Sequence, residues 1–393
     1  MREKKRRLAI LGSTGSIGQS TLEVIRRFKD RYAVVGLVAG RNTGLLAEQV
    51  VEFRPEVVAV ESEKQVGELK RKLGRFKVEI LCGEDGYEEV AANTKTDMVV
   101  SAITGIAGLK PTLAALRKGK DLALANKESM VVAGSLIRKI AAGSGSRVIP
   151  VDSEHSGVFQ CLNGKDKKFI KRVYLTASGG PFLKVPLEDL AGKTLAEALK
   201  HPRWKMGRKV TIDSATMMNK GLELIEARWL FNLRPEQLGV LIHPQSVVHA
   251  LVEFLDGSVL AQLSQTDMRI PIQYALSYPE RLDSPLPSLD LTEVKSLEFF
   301  PVDESRFPLF GLARKALSAG LSFPVVLNAA NEVAVQAFLE EKISFGEIFG
   351  IVNHCLNQHR PRALVELDDI LTIDRETREQ AQHYLKRMKG NIS

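Results

Sequence analysis

The start of the chain carries the feature that most constrains its fold, a glycine-rich turn between an apolar strand and a helical pattern. The apolar run 8–11, preceded by Arg7, leads into Gly12-Ser13-Thr14-Gly15-Ser16-Ile17-Gly18, and a helix-like pattern continues to about Lys29. Glycines at such a turn let the backbone approach a pyrophosphate, and the following helix N-terminus offers N–H groups to the phosphates. The order of strand, turn and helix therefore predicts a dinucleotide-binding unit.

The residues after the next predicted strand indicate which dinucleotide. The strand 32–39 is followed by Gly40-Arg41-Asn42. An NAD site usually has Asp or Glu here for the ribose 2′-hydroxyl, whereas a cation suits a 2′-phosphate, so we predict NADP and not NAD. The glycine spacing is one residue longer than the common fingerprint, and such turns also occur without a ligand. The prediction therefore depends on the strand–turn–helix context and on Arg41.

Apolar strands continue to alternate with helical patterns up to residue 150. They are predicted at residues 57–60, 78–82, 98–102, 122–125 and 148–151. This alternation is typical of a Rossmann-like, doubly wound parallel sheet with helices on both faces. Ligands of such sheets collect at the carboxyl ends of the strands. Three polar clusters at strand ends are therefore expected to face the cofactor: 102–105, Asn126-Lys127-Glu128 and Asp152-Ser153-Glu154.

The pattern changes after Asp152. A strand at 172–177 is followed later by strands at 247–254 and 258–264, which are joined at Asp256-Gly257, a strong hairpin signal. This mixture predicts an α+β domain in the middle of the chain.

The last quarter of the chain is helical in pattern. A segment rich in Pro, Ser and Leu precedes four helical patterns, at 308–319, 324–340, 345–358 and 368–389, which predict a small helical bundle. The predicted division is an NADPH-binding domain 1–150, a catalytic domain 151–278, a connecting segment 279–303 and a helical bundle 304–393.

Composition limits the classes of partner. The chain has 393 residues, too long for one ordinary domain, and 55 basic against 47 acidic residues give a net charge of +8. The basic run 2–7 is expected to be a solvated tail, and no aromatic-interleaved basic stripe suggests nucleic-acid binding. No apolar run is long enough for a signal peptide or a membrane span, so we expect a cytoplasmic protein with no membrane partner.

Three widely separated cysteines, Cys82, Cys161 and Cys355, suggest neither a disulfide framework nor a thiolate metal site. They favour a reducing compartment. Cys161 can be considered as a thiol nucleophile, although no activating motif adjoins it and buried cysteine is more common.

Carboxylates follow the last predicted strand of the sheet and recur in the middle of the chain. Asp152 and Glu154 are two residues apart, and Glu223 lies in a helical pattern. Three carboxylates without paired histidines suit a hard divalent cation such as Mg²⁺ or Mn²⁺. The alternative is that these acids cap helices or stay solvated.

Two segments are candidate phosphate-binding sites. Ser178-Gly179-Gly180-Pro181 offers a backbone nest, and the segment 214–220 offers hydroxyls, Asn219 and Lys220. Turn and helix-cap chemistry explains the same residues, but a lysine in a first turn opposes the helix dipole unless an anion compensates it. Between them, the loop 201–207 contains His201 and Trp204 and is expected to close over a ligand.

In chain order, seven segments closely resemble the motifs of the 1-deoxy-D-xylulose 5-phosphate reductoisomerase family. They are 12–18, 125–129, 150–155, 178–182, 201–207, 213–223 and 243–247. The resemblance extends over essentially the whole chain. It implies NADPH-dependent conversion of 1-deoxy-D-xylulose 5-phosphate to 2-C-methyl-D-erythritol 4-phosphate in the non-mevalonate isoprenoid pathway, by a skeletal rearrangement followed by hydride reduction.

The same resemblance implies roles for individual residues. The expected metal ligands are Asp152, Glu154 and Glu223, which with Lys127 and His201 are the expected catalytic residues. The expected substrate-binding residues are Lys127, Ser153, Glu154, Ser178, His201, Trp204, Ser214, Asn219, Lys220 and Glu223. The expected NADPH-binding residues are Thr14, Gly15, Ser16, Ile17, Gly40, Arg41, Asn42, Asn126, Glu128 and Gly207.

The family resemblance also suggests a homodimer. Two other classes of function share part of these features. A different NADP-linked enzyme, such as a semialdehyde dehydrogenase, would need Cys161 as nucleophile. A protein that only senses NADP would need the glycine turn without metal ligands or a phosphate nest.

Overall fold

The computed structural model describes residues 5–204, 206–284 and 286–390. Contacts divide the chain into two compact units: Met1–Ser129 with Ile137–Phe159 and Asp267–Pro287, and Met130–Leu136 with Gln160–Thr266 and Ser288–Ser393. None of the described helices has the length and the low charge needed to cross a membrane.

The first unit contains a seven-stranded sheet. Its strands are β1 (Arg6–Leu11), β2 (Tyr32–Val38), β3 (Val57–Val60), β4 (Glu79–Cys82), β5 (Met98–Ser101), β6 (Asp121–Leu124) and β7 (Val148–Pro150). The helices of this half of the chain are α1 (Ser16–Arg27), α2 (Thr43–Phe53), α3 (Glu63–Leu73), α4 (Gly83–Ala92), α5 (Leu109–Arg117), α6 (Lys127–Ser144) and α7 (Ser153–Leu162). Every predicted strand is present, with ends within one residue of the prediction.

The order of this sheet is β4-β3-β2-β1-β5-β6-β7, and each pair of neighbours is parallel. The chain winds outward from β1 to β4 and then returns to β5, so right-handed crossovers place the helices of the two halves on opposite faces. The prediction of a Rossmann-like, doubly wound sheet is confirmed. The winding reverses between β1 and β5, which is where such sheets bind their ligands.

The N-terminal basic run behaves differently from the expected tail. Arg6 and Arg7 open β1 and form ion pairs with Asp121 at 2.8 Å and with Asp97 at 2.7 Å. The prediction of a solvated tail is therefore wrong for these two residues, because Asp97 directly precedes the neighbouring strand β5 and Asp121 begins β6, the next strand of the sheet. Lys5 is exposed, and residues 2 and 4 of the run lie outside the described residues.

The second half of the chain contains a five-stranded mixed sheet, ordered β11-β10-β8-β9-β12. Its strands are β8 (Ile170–Ala177), β9 (Leu238–Ile242), β10 (Val248–Phe254), β11 (Val259–Leu263) and β12 (Phe300–Pro301). The helices of this half are α8 (Leu195–Ala198), α9 (Arg208–Ala215), α10 (Met218–Phe231), α11 (Arg269–Ser277), α12 (Leu291–Val294), α13 (Pro308–Ala319), α14 (Phe323–Leu339), α15 (Glu347–Gln358) and α16 (Leu367–Gly390).

The predicted hairpin joins β10 to β11, and the two strands are antiparallel. Gly257 has a φ of +86°, which glycine adopts without strain, and the Ser258 backbone N–H donates to Asp256 Oδ1 at 2.9 Å. The strands β9 and β12 were not predicted. The parallel pairing of β9 with β8 joins segments about sixty residues apart, which local patterns do not reveal.

The four predicted C-terminal helices are present as α13 to α16, and the buried helix α14 packs against the other three. The helical bundle is thus confirmed. The helix α11 was not predicted, and it belongs with the first unit, where it packs against α1. The division into four segments at 150, 278 and 303 stays a prediction.

Candidate active site

The glycine turn after β1 is held in a conformation that only glycine allows. Gly12 has a φ of +86°, and a Cβ atom on it would lie 2.6 Å from the carbonyl oxygen of Ala102, just after β5. A Cβ atom on Gly18 would lie 2.3 Å from the Gly12 carbonyl oxygen. Both distances are far below van der Waals contact, so the turn fits closely at the point where the sheet reverses its winding.

The helix that follows this turn has an open N-terminus. Gly15 is the N-cap of α1, and no side chain caps it. Gly15 and Ser16 are exposed. The side-chain amide of Gln49 stabilises the turn by donating a hydrogen bond to the Ser13 carbonyl at 3.0 Å. Unsatisfied N–H groups at an exposed helix start can bind a phosphate anion. Thr14 and Ile17 lie partly exposed beside them.

The predicted 2′-phosphate residues lie after β2. Asn42 caps α2 by accepting from the Leu45 N–H at 3.2 Å, and no atom lies within 4 Å of a Cβ position on Gly40. The Arg41 side chain is 82% exposed and pairs with Glu61, with Nε 2.6 Å from Oε2. The Glu61 carboxylate raises the pKa of the guanidinium. Arg41 is therefore an accessible cation whose counter-ion is the carboxylate of Glu61.

Asn126 has a structural role at the end of β6. Its Nδ2 donates to the Gly105 carbonyl at 2.9 Å and to Glu128 Oε2 at 3.1 Å, and its Oδ1 accepts from the Ser129 N–H at 3.0 Å. The side chains of Asn126 and Glu128 are both buried. They fix the loop after β5 against the start of α6, so they can shape a cofactor site without facing it. Gly207, the N-cap of α9 in the second unit, is exposed.

An ion pair lies where β7 ends. Lys127, the first residue of α6, has its Nζ 2.6 Å from Asp152 Oδ2, with side-chain exposures of 11% and 16%. Next to it, the Ser153 hydroxyl donates to Glu154 Oε2 at 2.7 Å. The buried His155 has a ring nitrogen within 4.8 Å of an Asp152 carboxylate oxygen. This histidine was not predicted as a ligand, although it stands three residues after Asp152.

In the second unit, Glu223 lies on α10 and is almost fully buried. Its Oε2 accepts from Lys220 Nζ at 2.5 Å, and its Oε1 accepts from Asn219 Nδ2 at 2.5 Å. A buried carboxylate is costly unless a cation compensates it, and here Lys220 does so.

Asp152 and Glu223 resemble each other in that each carboxylate forms an ion pair with a lysine, Asp152 with Lys127 and Glu223 with Lys220. A divalent cation can take the place of an ammonium beside a carboxylate, and carboxylate oxygens suit Mg²⁺ or Mn²⁺.

The turn after β8, which is predicted to be a backbone nest, has two glycines in the left-handed region. Gly179 and Gly180 have φ values of +85° and +68°, and Ser178 Oγ accepts from the Gly180 N–H at 3.2 Å. A Cβ atom on Gly180 would lie 2.6 Å from the Ser214 carbonyl oxygen. The turn therefore packs directly on the end of α9, which brings two predicted phosphate-binding residues, Ser178 and Ser214, to one place.

His201 lies against this nest in a fixed protonation state. Its Nδ1 accepts from the backbone N–H groups of Trp204 at 2.8 Å and of Arg203 at 3.2 Å. The proton of the neutral ring is therefore on Nε2, which lies 3.1 Å from Ser178 Oγ. Burial, reinforced by the charge of Lys220, lowers the pKa of His201 to about 4. The ring is a neutral hydrogen-bond donor at neutral pH.

The remainder of the loop 201–207 is partly covered. Trp204 is half-buried, with its ring centroid 6.4 Å from that of His249, whereas Pro202 and Arg203 are exposed. Lys205 lies outside the described residues. The closing motion of this loop stays a prediction.

Cys161 does not have the surroundings of a nucleophile. Its side chain is buried, and burial raises the pKa of the thiol to about 11. A reactive thiol needs a lowered pKa and access to solvent. This observation disfavours an enzyme of the semialdehyde dehydrogenase type.

Sequence reasoning missed a second group of buried contacts behind the nest. Asp213, next to Ser214, accepts from Lys209 Nζ at 2.8 Å and from Asn331 Nδ2 of α14 at 2.8 Å. The spacing of Lys209 and Asp213, four residues apart on one helix, was visible in the sequence. Asn331 lies 118 residues further on, and only the packing of α14 against α9 reveals it.

The parallel sheet, the glycine turn and the exposed Arg41 together are typical of a Rossmann-type, NADP-linked protein, and this is the class that the fold and the site define. Comparison with known proteins narrows the class. The family model for 1-deoxy-D-xylulose 5-phosphate reductoisomerase matches residues 8–134, and two models for the C-terminal domain of the same enzyme match residues 148–231 and 263–380.

Relatives match over nearly the full length. The 1-deoxy-D-xylulose 5-phosphate reductoisomerases of Chlorobium chlorochromatii and Chlorobaculum tepidum are each 51% identical, covering 97% and 96% of this chain and 100% and 99% of their own lengths. The Zymomonas mobilis enzyme, solved in complex with NADPH, has a TM-score of 0.91 at 44% identity, covering 97% of this chain and 99% of its own. A reductoisomerase solved with NADPH, fosmidomycin and magnesium has a TM-score of 0.93 at 43% identity, covering 98% of this chain and 99% of its own. This chain belongs to the 1-deoxy-D-xylulose 5-phosphate reductoisomerase family.

Proposed function

We propose that this protein converts 1-deoxy-D-xylulose 5-phosphate to 2-C-methyl-D-erythritol 4-phosphate, with NADPH as reductant and a divalent cation as cofactor. The observation that carries the proposal is the correspondence with reductoisomerases over 97% of the chain at 51% identity. Two similar reductoisomerases were solved in complex with NADPH, and one of these complexes also contains magnesium and fosmidomycin.

The first unit supplies the residues that bind the pyrophosphate and the 2′-phosphate of NADPH in this proposal. The exposed N–H groups at the start of α1 bind the pyrophosphate, and Arg41 with Asn42 binds the 2′-phosphate. Gly12 and Gly18 allow the close approach of the backbone.

Asp152, Glu154 and Glu223 hold the divalent cation in this proposal, and the imidazole near Asp152, His155, is a further nitrogen donor. A cation bound to these oxygens supplies Lewis-acid chemistry, because it polarises a ketone and orients the adjacent hydroxyl. The ammonium of Lys127 then exchanges its carboxylate partner for an oxygen of the substrate. Ser153 and Glu154, already hydrogen-bonded to each other, lie beside that position in the first turn of α7.

The second unit binds the substrate phosphate. The nest of Ser178 and Gly180, the hydroxyl of Ser214 and the ammonium of Lys220 provide hydrogen-bond donors, and Asn219 orients Glu223. His201 donates a hydrogen bond from Nε2 to the substrate, and its ring stays neutral because burial lowers its pKa. Binding energy at the phosphate orients the reacting carbons, and the indole of Trp204 excludes water from them.

We also propose a homodimer formed through the second sheet. The hairpin strand β11 is one of the two edge strands of that sheet, and Val259 and Leu260 on it are 51% and 38% exposed. Leu255 and Phe169 add 63% and 50% exposed side chains next to it. An exposed apolar edge strand is a surface for pairing with a second copy. We further propose that the protein is cytoplasmic, because its three free cysteines are typical of proteins in a reducing compartment.

The decisive assay follows NADPH absorbance with purified protein, 1-deoxy-D-xylulose 5-phosphate and Mg²⁺. We expect oxidation that requires both the substrate and the cation, and the Cys161→Ser variant should retain it because its thiol is buried and protonated. Absence of oxidation at every Mg²⁺ and Mn²⁺ concentration would favour a protein that only senses NADP.

A further inference from the structure

The 2′-phosphate subsite contains a carboxylate that competes with the ligand. Glu61 follows β3, the neighbour of β2 in the sheet, and its two oxygens lie 2.6 and 3.3 Å from Nε and Nη2 of Arg41. This is the planar, two-point arrangement that a guanidinium would offer to a phosphate. A 2′-phosphate that binds Arg41 must therefore displace Glu61 or share the guanidinium with it.

The charge balance at this place is unfavourable if Arg41 acts alone. A phosphate monoester carries about −1.5 to −2 charges at neutral pH. Arg41 contributes one positive charge, and the carboxylate of Glu61 cancels it. An NADP site built on Arg41 with an adjacent carboxylate needs another cation.

Lys72 supplies a second cation near Asn42. It lies in the last turn of α3, together with Lys70 and Arg71. The Lys72 Nζ and the Asn42 Oδ1 each lie 3.8 Å from the position that a Cβ atom would take on Gly44. The ammonium is thus at most twice that distance from the side chain of Asn42, in the segment 40–42 that is predicted to bind the 2′-phosphate.

The place of this ammonium is unusual for a surface lysine. Basic residues in the last turn of a helix normally stabilise that helix through its dipole, and this explains Lys70 and Arg71. Lys72 Nζ instead reaches Gly44, in the first turn of α2, where the Glu68 carboxylate of α3 accepts from Thr43 Oγ1 at 3.3 Å. The ammonium therefore lies at a helix N-terminus, where N–H groups can also bind a phosphate.

We propose that the 2′-phosphate of NADPH is held by two cations, Arg41 and Lys72, and that Glu61 is the counter-ion of Arg41 which the phosphate replaces. The inference rests on NADPH being the cofactor in the proposed function. It makes Lys72 a residue that determines the preference for NADPH over NADH, outside the segment 40–42 that sequence motifs identify.

The test measures cofactor binding by isothermal titration calorimetry on the full chain, at low ionic strength and without substrate. The Lys72→Ala variant should raise the Kd for NADPH about threefold to tenfold, as expected for an exposed ammonium on a phosphate dianion, and leave the Kd for NADH within about twofold. Lys70→Ala is the matched control, because it removes the same charge from the same turn of α3 at a position about 200° around the helix. It should leave both values unchanged.

A second variant tests the role of the carboxylate. Glu61→Gln keeps the shape of the side chain but removes its charge, so the Kd for NADPH should fall while the Kd for NADH stays constant. If Lys72→Ala and Lys70→Ala have equal effects on NADPH binding, or if Glu61→Gln weakens it, the two-cation subsite is wrong. If the unmodified protein binds NADH as tightly as NADPH, the cofactor assignment in the proposed function fails instead.

Discussion

The nest after β8 gives a prediction whose size can be worked from the structure. In the Gly180→Ala variant, the new methyl group would lie 2.6 Å from the Ser214 carbonyl oxygen, at a φ of +68°. A comfortable carbon–oxygen contact is about 3.3 Å or longer, so the nest and the end of α9 must separate by roughly 0.7 Å. The left-handed backbone adds a cost of about 1–2 kcal/mol for a residue with a Cβ atom.

This separation acts on the phosphate-binding residues Ser178 and Ser214 directly. Because a misplacement of about 1 Å can reduce catalysis roughly a hundredfold, we expect kcat/KM for the sugar phosphate to fall about tenfold to a hundredfold. The Kd for NADPH should remain unchanged, since the glycine turn and Arg41 belong to the first unit.

The assay is steady-state kinetics combined with NADPH titration and thermal unfolding. Gly192→Ala is the control, because no atom lies within 4 Å of a Cβ position at Gly192 and its φ is not in the left-handed region. This control should keep full activity. If Gly180→Ala keeps kcat/KM within twofold, or loses NADPH binding in equal measure, the assignment of this turn to the substrate phosphate is refuted.

Three further predictions concern the cofactor, the cation and the histidine. Arg41→Ala should weaken NADPH binding about tenfold or more and leave NADH binding nearly unchanged, and an equal loss for both would contradict a 2′-phosphate contact. EDTA should abolish turnover, Mg²⁺ or Mn²⁺ should restore it, and Asp152→Asn should lose turnover while still binding NADPH; full activity in chelator would contradict the metal site. Since the pKa of His201 is lowered to about 4, its unfolded state binds the proton first, and the free energy of unfolding should fall as pH decreases from about 6.5 to 4. His201→Gln should reduce that slope, and ¹⁵N NMR at pH 7 should show a neutral ring protonated on Nε2; a charged ring would contradict the assignment.

The elements that the sequence predicted well are those with strong local patterns. Apart from the edge strand β4, the strands of the first sheet contain continuous apolar runs because both of their faces are buried, and their ends therefore stand out against polar turns. The hairpin at Asp256-Gly257 has a similarly local signal. By contrast, β9 is a five-residue apolar run, which periodicity alone does not separate from a buried helical segment.

In the candidate site too, residue types could be predicted from local sequence, whereas their contacts could not. Its glycine motif, carboxylates and serines were recognisable as residue types, but their partners depend on which strands are neighbours. The pairing of Arg41 with Glu61 follows from the adjacency of β2 and β3, and that of Lys127 with Asp152 from the adjacency of β6 and β7. The tautomer of His201 depends on how the chain turns back at Trp204, which has no sequence pattern.

The central claim is tested most directly by identifying the product. The protein is incubated with 1-deoxy-D-xylulose 5-phosphate labelled with ¹³C, NADPH and Mg²⁺, and the product is analysed by NMR while NADPH oxidation is measured in the same sample. The account predicts one branched 2-C-methyl-D-erythritol 4-phosphate for each NADPH oxidised, and no product when the cation is chelated. NADPH oxidation that yields an unbranched polyol phosphate, or no conversion with the cation present, would contradict it.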